Sequence, residues 1–127
     1  MLVDTLGLLV ACRVEPAGMS DRRAARALTA GLSPLWPRID TVIADAGYES
    51  KKLARLLKAS AGWRLEIVKR KKRAFKIAGL NWIVERSFGW LGRQRRLSKD
   101  YEYRVQSSEA LITIASCARM LRRLAPT

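Results

Sequence analysis

The chain has 127 residues, 49 % of them hydrophobic, and carries 25 Lys and Arg against 11 Asp and Glu, a formal charge of +14. That length fits one domain with a core of its own, and the charge lies outside the range of an ordinary small soluble surface. Histidine is absent, which excludes Ser–His–Asp and Cys–His catalysis and His-held metals and leaves carboxylates, Lys or Arg, hydroxyls and oxygen-bound metals.

The basic excess is uneven. Residues 1–60 hold nine Lys or Arg against six acids, a net of +3, whereas residues 61–127 hold sixteen against five, a net of +11. The second half therefore sets up a field for a polyanion, with nucleic acid the leading partner. An anionic membrane face fits less well, since there is no long apolar run and no cleanly amphipathic basic helix. Cys12 and Cys117 stand far apart without CxxC spacing, so neither a disulfide scaffold nor a zinc knuckle is suggested, and both read as small buried thiols. The start, MLVDTLGLLVACRV, is interrupted by Asp4, Gly7 and Arg13 and has no basic region ahead of it; it does not read as a signal peptide.

In chain order, Leu2 and Val3 form a strand stub, Asp4, Thr5 and Gly7 a turn, and Leu8 to Val14 a returning strand. Pro16 and Gly18 break the run, and Ser20 caps a short helix, DRRAARALTA. After a connector with Gly31, Pro34 and Pro37, Ile39 to Ala44 is a strand ending on Asp45. Ser50 caps a helix, SKKLARLLKAS, with Leu53, Leu56 and Leu57 on one face, and a strand follows near Trp63–Val68. A long helix spans Leu80 to Leu97, with Leu80, Val84, Phe88 and Leu91 as its apolar stripe. Ser107 caps a last helix to Leu124, with Leu111, Ile114, Ala115, Ala118 and Leu121 as its core side. The order is β-β-α-β-α-β-α-α, an α/β chain with helices packed on a sheet.

Two acids stand out. Asp45 ends a strand and is followed at once by Ala46 and Gly47; Glu85 lies in the first turns of the long helix. Metal-assisted phosphodiester cleavage needs carboxylates that converge at one rim. At 100° per residue, Gly89, Gly92 and Arg96 fall within about 40° of Glu85. Each glycine weakens a helix interior by about 1 kcal/mol relative to alanine. Close approach of a nucleic-acid backbone explains them; so does close helix packing or a kink. An ordinary strand-to-helix turn at Asp45 and a dipole-favoured acid at Glu85 are the plainer alternatives. The run Lys69, Arg70, Lys71, Lys72, Arg73 grips phosphates or is a solvated loop. The tail Arg93, Arg95, Arg96 extends the long helix as a second phosphate-holding candidate. Phe88 and Trp90 read as core aromatics, with Trp82 undecided, and Tyr48 either packs beneath the site or touches DNA.

The pieces ADAGYES, NWIVERSFGWLGRQRRLSKDYE and SEALITIASCARMLRRLA, with the opening LVDTLGLLVACRV, resemble the C-terminal part of DDE transposases of bacterial insertion sequences, in the group numbered five. The resemblance covers almost the whole chain. It implies a ribonuclease H-like mixed sheet with flanking helices, incomplete at its N-terminus, over residues 1–127. It also implies that Asp45 and Glu85 are the second and third of three metal-binding acids. Ala46 stands where the family usually has Lys, and Asn81 where it usually has Arg; each removes a positive charge near the site. Arg86 and the Arg93–Arg96 run match positions suited to DNA phosphates. The first Asp lies upstream in the family, and Asp4 matches the hairpin turn instead. The resemblance thus implies a partial catalytic domain that binds double-stranded DNA and is completed by an upstream-frame portion. Two Mg²⁺ ions would then serve cleavage and strand transfer of element ends, with at least two protomers, a homodimer for instance, taking part. Such a protein works in the cytoplasm on the nucleoid. The competing readings are a non-catalytic DNA-binding remnant, or an inhibitory partner of a full-length transposase, and more remotely a nonspecific RNA-binding domain.

Overall fold

The computed structural model describes residues 1–69, 81–99 and 102–125. It is a mixed α/β chain that divides into two compact units, Ala17–Asn81 and Met1–Pro16 with the chain from Trp82 onward. Each is described by itself.

The inner unit starts with α1 (Asp21–Thr29), runs through β1 (Thr41–Asp45), a single 3-10 turn (Ala46–Tyr48) and α2 (Lys51–Ala61), and ends on β2 (Arg64–Val68). β1 and β2 pair in parallel, from Thr41 opposite Arg64 to Asp45 opposite Val68. Parallel neighbours need a crossover, and α2 is that crossover. Its ends are set by two residues. The Ser50 hydroxyl accepts the Leu53 N–H at 3.2 Å, and Gly62 closes the helix at φ +73°, donating its N–H to the Leu57 and Lys58 carbonyls. Leu53, Leu57 and Trp63 form the buried core, with Ile39, Val42, Tyr48 and Leu65 packed on it. Burying side chains of this size contributes about 1.5–3 kcal/mol each, so the ladder is held by this one cluster. Trp63, expected inside the strand, instead stands just before it and is 1 % exposed.

The outer unit pairs β3 (Leu2–Val3) with β4 (Leu9–Ala11) antiparallel and adds α3 (Asn81–Gly92) and α4 (Val105–Leu124). The returning strand is shorter than its apolar run. The hairpin turn is built by Asp4, whose carboxylate accepts the Leu6 N–H at 2.9 Å and the Leu8 N–H at 2.8 Å. Gly7 has φ +79°, a left-handed conformation natural to glycine. It also meets α3 closely: a Cβ there would stand 2.9 Å from the Ser87 hydroxyl and 3.2 Å from the Trp90 ring. Ser87 is buried, 2.9 Å from both the Gly7 and Ile83 carbonyls, to either of which it donates its one proton. Past β4, the Glu109 carboxylate accepts the Val14 N–H at 2.9 Å and ties the chain to α4.

Several expectations change here. α3 stops at Gly92, and Arg93–Lys99 run through turns rather than more helix, since two glycines near its end weaken it. Its inward row is Ile83, Ser87, Trp90 and Leu91, so Phe88 is not core but 56 % exposed. On α4 the buried residue is Ser116, while Ile114 and Leu121 are 64 % and 66 % exposed and Ala118 is exposed too. α4 begins two residues before Ser107, behind Arg104. Cys117 is also exposed rather than buried. Ser20 stands at the start of α1 but makes no capping bond. The run Arg70–Arg73, and Leu80, Asp100 and Tyr101, lie outside the described residues.

The two serines separate by measurement. Ser50→Ala is expected to lower stability by about 1 kcal/mol through loss of a cap bond, and Ser20→Ala by much less; urea titration of both variants checks the difference.

Candidate active site

Asp45 is the last residue of β1 and the cap of the turn that follows. Its carboxylate accepts the Gly47 N–H at 3.0 Å and is exposed. The acid is therefore fixed twice, by the parallel ladder through its main chain and by the turn through one oxygen. A second acid stands beside it. The point where a Cβ on Gly47 would stand lies 2.7 Å from Asp21 Oδ2 and 3.2 Å from Asp45 Oδ1. Both carboxylates thus reach over the glycine, and a side chain there would have to push the exposed Asp21 carboxylate aside. Tyr48 packs beneath. Burial pushes its phenol up from the ordinary value, with the negative charges of Asp21 and Asp45 adding to the effect. Just past the end of β2, at the same rim as Asp45, Lys69 pairs with Glu49 at 3.1 Å on the exposed surface. A pair of that kind contributes little to stability.

Glu85 is exposed on α3 of the outer unit. One turn further on, Gly89 leaves its face open, as Gly92 does at the end of the helix: apart from its chain neighbours and the helix's own nearby backbone, no described atom lies within 4 Å of where either Cβ would stand. Arg96 does not continue that face, because the helix has ended; it pairs with Glu102 at 2.9 Å. Arg86 turns toward the fold. It donates to the Leu6 carbonyl at 3.2 Å, and its guanidinium lies 4.3 Å from the Trp82 ring centre and 4.7 Å from that of Trp90. Such stacking favours a desolvated cation. Arg119 from α4 lies over the same Trp90 ring at 3.1 Å. Desolvation pulls its guanidinium down from the ordinary value, and the like charges of Arg123, Arg86 and Arg93 pull further in the same direction. Four arginines therefore share one region of this unit, an arrangement that an anion relieves.

Of that cluster the sequence analysis singled out Arg86 and Arg93 but not Arg119 and Arg123. The four-residue step between the latter two on one helix face is the signal that could have raised them. It also passed over Asp21, read simply as the first residue of a helix; nothing in the sequence brings residue 21 to residue 45. Asp45 and Glu85 fall in different units. Ala46 is exposed in the turn, and of Asn81 only the main chain is described. Among the described residues no group of three or more His, Cys, Asp or Glu side chains gathers in the manner of a metal site. No described helix is long and apolar enough to cross a membrane.

A protein-family model, the transposase DDE domain, matches residues 1–121. The chain belongs to that family. Comparisons with curated proteins and with solved structures returned no match. The DDE domain links the chain to transposition at the level of the family and to Mg²⁺ as the metal such transposases use. The donor chemistry on hand suits that ion: Asp45 and Asp21 offer hard carboxylate oxygens, and Asp45 keeps an oxygen beyond the one held by Gly47.

Two outcomes follow from this geometry. Gly47→Ala is expected to push the exposed Asp21 carboxylate aside rather than the backbone, at a cost of about 0.5 kcal/mol or less. Asp21→Ala in the same chain should recover most of that loss, as a double-mutant cycle by urea unfolding would show. Tyr48 is harder to ionise folded than unfolded. Stability is therefore fully present below the unfolded pKa near 10 and is lost as pH rises toward the folded value. Thermal unfolding across alkaline pH should show a fall that Tyr48→Phe makes shallower.

Proposed function

We propose that this chain is the C-terminal catalytic portion of an insertion-sequence transposase, of the group numbered five, with a ribonuclease H-like mixed sheet completed by an upstream portion that supplies the first acid. The observation that carries this reading is Asp45: an exposed carboxylate locked at the end of a parallel strand, inside a family match covering residues 1–121. Asp45 and Glu85 are then the second and third metal-binding acids, with Asp21 adding negative charge beside Asp45.

Asp45 and Glu85 would hold Mg²⁺, which would supply positive charge against the charge developing on a phosphodiester. The chain's own residues do the rest. Asp45 holds its position through Gly47, so it does not reorganise when a ligand arrives. The open face at Gly89 and Gly92 lets a phosphate backbone approach α3 beside Glu85. The cluster of Arg86, Arg93, Arg119 and Arg123 attracts double-stranded DNA, and exposed Arg95 extends it. Lys69, Arg70, Lys71, Lys72 and Arg73 provide a further phosphate-contacting segment in this proposal.

A second reading is favoured by Ala46 and Asn81, where the family usually has Lys and Arg: a DNA-binding chain without catalysis, acting as an inhibitory partner of a full-length transposase. Mixing the chain with an upstream portion and terminal-repeat DNA decides between them. The catalytic reading expects Mg²⁺-dependent strand transfer that Asp45→Ala or Glu85→Ala abolishes; cleavage surviving both substitutions together would falsify it. Salt-dependent binding with no cleavage is the result that favours the second reading.

Binding itself has an expected form under both. Replacing Arg93 and Arg95 together by Ala removes about two phosphate contacts, so the slope of log K against log salt should shrink by about 1.8. Fluorescence anisotropy over a salt series measures it.

A further inference from the structure

Two arginines of the outer unit share one tryptophan. Arg86 and Trp90 stand four residues apart on α3 and so lie on one helix face. Arg119 reaches the same ring from α4, its guanidinium 3.1 Å from the ring centre against 4.7 Å for Arg86. Stacking covers the face of a guanidinium but leaves its N–H groups, which lie in the plane, still to be bonded. The Nε atoms of Arg86 and Arg119 are buried and have no hydrogen-bond partner among the described residues. An unbonded buried donor is unfavourable, more so on a charged group, so each marks a place where an acceptor gains.

Arg119 also borders a cavity of about 40 Å³ between the hairpin, α3 and α4, with Val3, Leu9, Trp90, Gln94 and Ser116 among its other walls. By volume it takes about three waters, which suits one compact polyatomic ion and nothing as large as a nucleotide. Charge selects the sign. No Asp or Glu is among the residues that line the cavity. Desolvation already weighs against the charge of Arg119, and the like charges of Arg123, Arg86 and Arg93 add to it. A cation is disfavoured in such a place and a water leaves the repulsion standing, whereas an anion offsets it.

We propose that this cavity is a binding site for a free tetrahedral oxyanion of the size of inorganic phosphate, which accepts from Arg119 Nε and from the Ser116 hydroxyl. Ser87 takes no part, since its one proton goes to the Gly7 or the Ile83 carbonyl. Duplex DNA is not this ligand: a phosphodiester carries a nucleoside on each side and does not fit the space. The site is therefore separate from the surface proposed above for DNA, although Arg119 belongs to both. An anion held there links α4 to the hairpin and binds the folded chain alone, so it stabilises the fold.

The test needs neither DNA nor metal, so its outcome is independent of the catalytic reading. The full 127-residue chain is dialysed against radiolabelled phosphate, with sodium chloride holding the ionic strength constant. One phosphate per chain is expected, displaced by sulfate but not by further chloride, with a melting temperature that rises to a plateau as phosphate is added. Arg119→Lys keeps the charge and loses Nε; Ala115→Leu narrows the cavity from α4 and leaves every arginine in place. Each should weaken phosphate binding at least tenfold. Arg22→Ala, which removes an exposed charge from α1 of the inner unit, should leave it unchanged. If Ala115→Leu fails to fold, Arg119→Lys and the stoichiometry decide. A melting temperature that phosphate moves no more than chloride does would assign the cavity to water and overturn the proposal. Phosphate that accumulates past one per chain without a plateau, or that binds Arg119→Lys as tightly as the parent chain, overturns it equally.

Discussion

The parallel ladder between β1 and β2 ends where Asp45 faces Val68, and at that point the Asp45 carboxylate turns back to accept the Gly47 N–H. Main chain and side chain of one residue are thereby fixed by different bonds. The ladder in turn depends on the buried cluster of Leu53, Leu57 and Trp63, which holds the crossover helix to the strands. A slip of one residue in register would carry Asp45 to the opposite face of the strand and lose the turn with it. The position of the proposed catalytic acid is thus a consequence of an apolar core a few residues away, and the Asp21 carboxylate is drawn beside it by the same packing.

Arginine does two kinds of work in the outer unit. Arg86 and Arg119 lie against Trp90, and Arg86 also donates to the Leu6 carbonyl. They are partly removed from water while retaining their charge, which makes the region more attractive to a phosphate than freely solvated lysines would be. Arg93 and Arg95, in the turns after α3, are exposed and free to follow a backbone. A single substitution at Arg86 or Arg119 therefore disturbs packing along with charge, whereas Arg93 and Arg95 report on charge alone. That asymmetry guides which residues are informative in binding experiments.

Much of the architecture was legible in the sequence because it is written in local chemistry. Asp4 and Gly7 announce the hairpin, Ser50 and Gly62 bracket α2, and the apolar run before Asp45 gives the strand and its end. The family was legible from the segments around Asp45 and Glu85. The buried faces of the last two helices were not. α4 has apolar residues nearly all round, so periodicity offered Ile114 and Leu121 as core where the fold buries Ser116. In α3 a serine goes inside because its hydroxyl is satisfied by the Gly7 and Ile83 carbonyls and its size admits the hairpin backbone. Such choices depend on what approaches the helix, which no window of sequence records. The same is true of Asp21, whose place beside Asp45 is set by tertiary packing alone.

The central proposal is that Asp45 and Glu85 serve as metal-binding acids once the upstream portion is present. Iron(II) put in place of magnesium, with ascorbate and peroxide, cuts the polypeptide only close to where it is bound. The account predicts cuts beside both residue 45 and residue 85, with both sets lost in Asp45→Ala and again in Glu85→Ala. Cuts at one segment only, or cuts indifferent to either substitution, would contradict it.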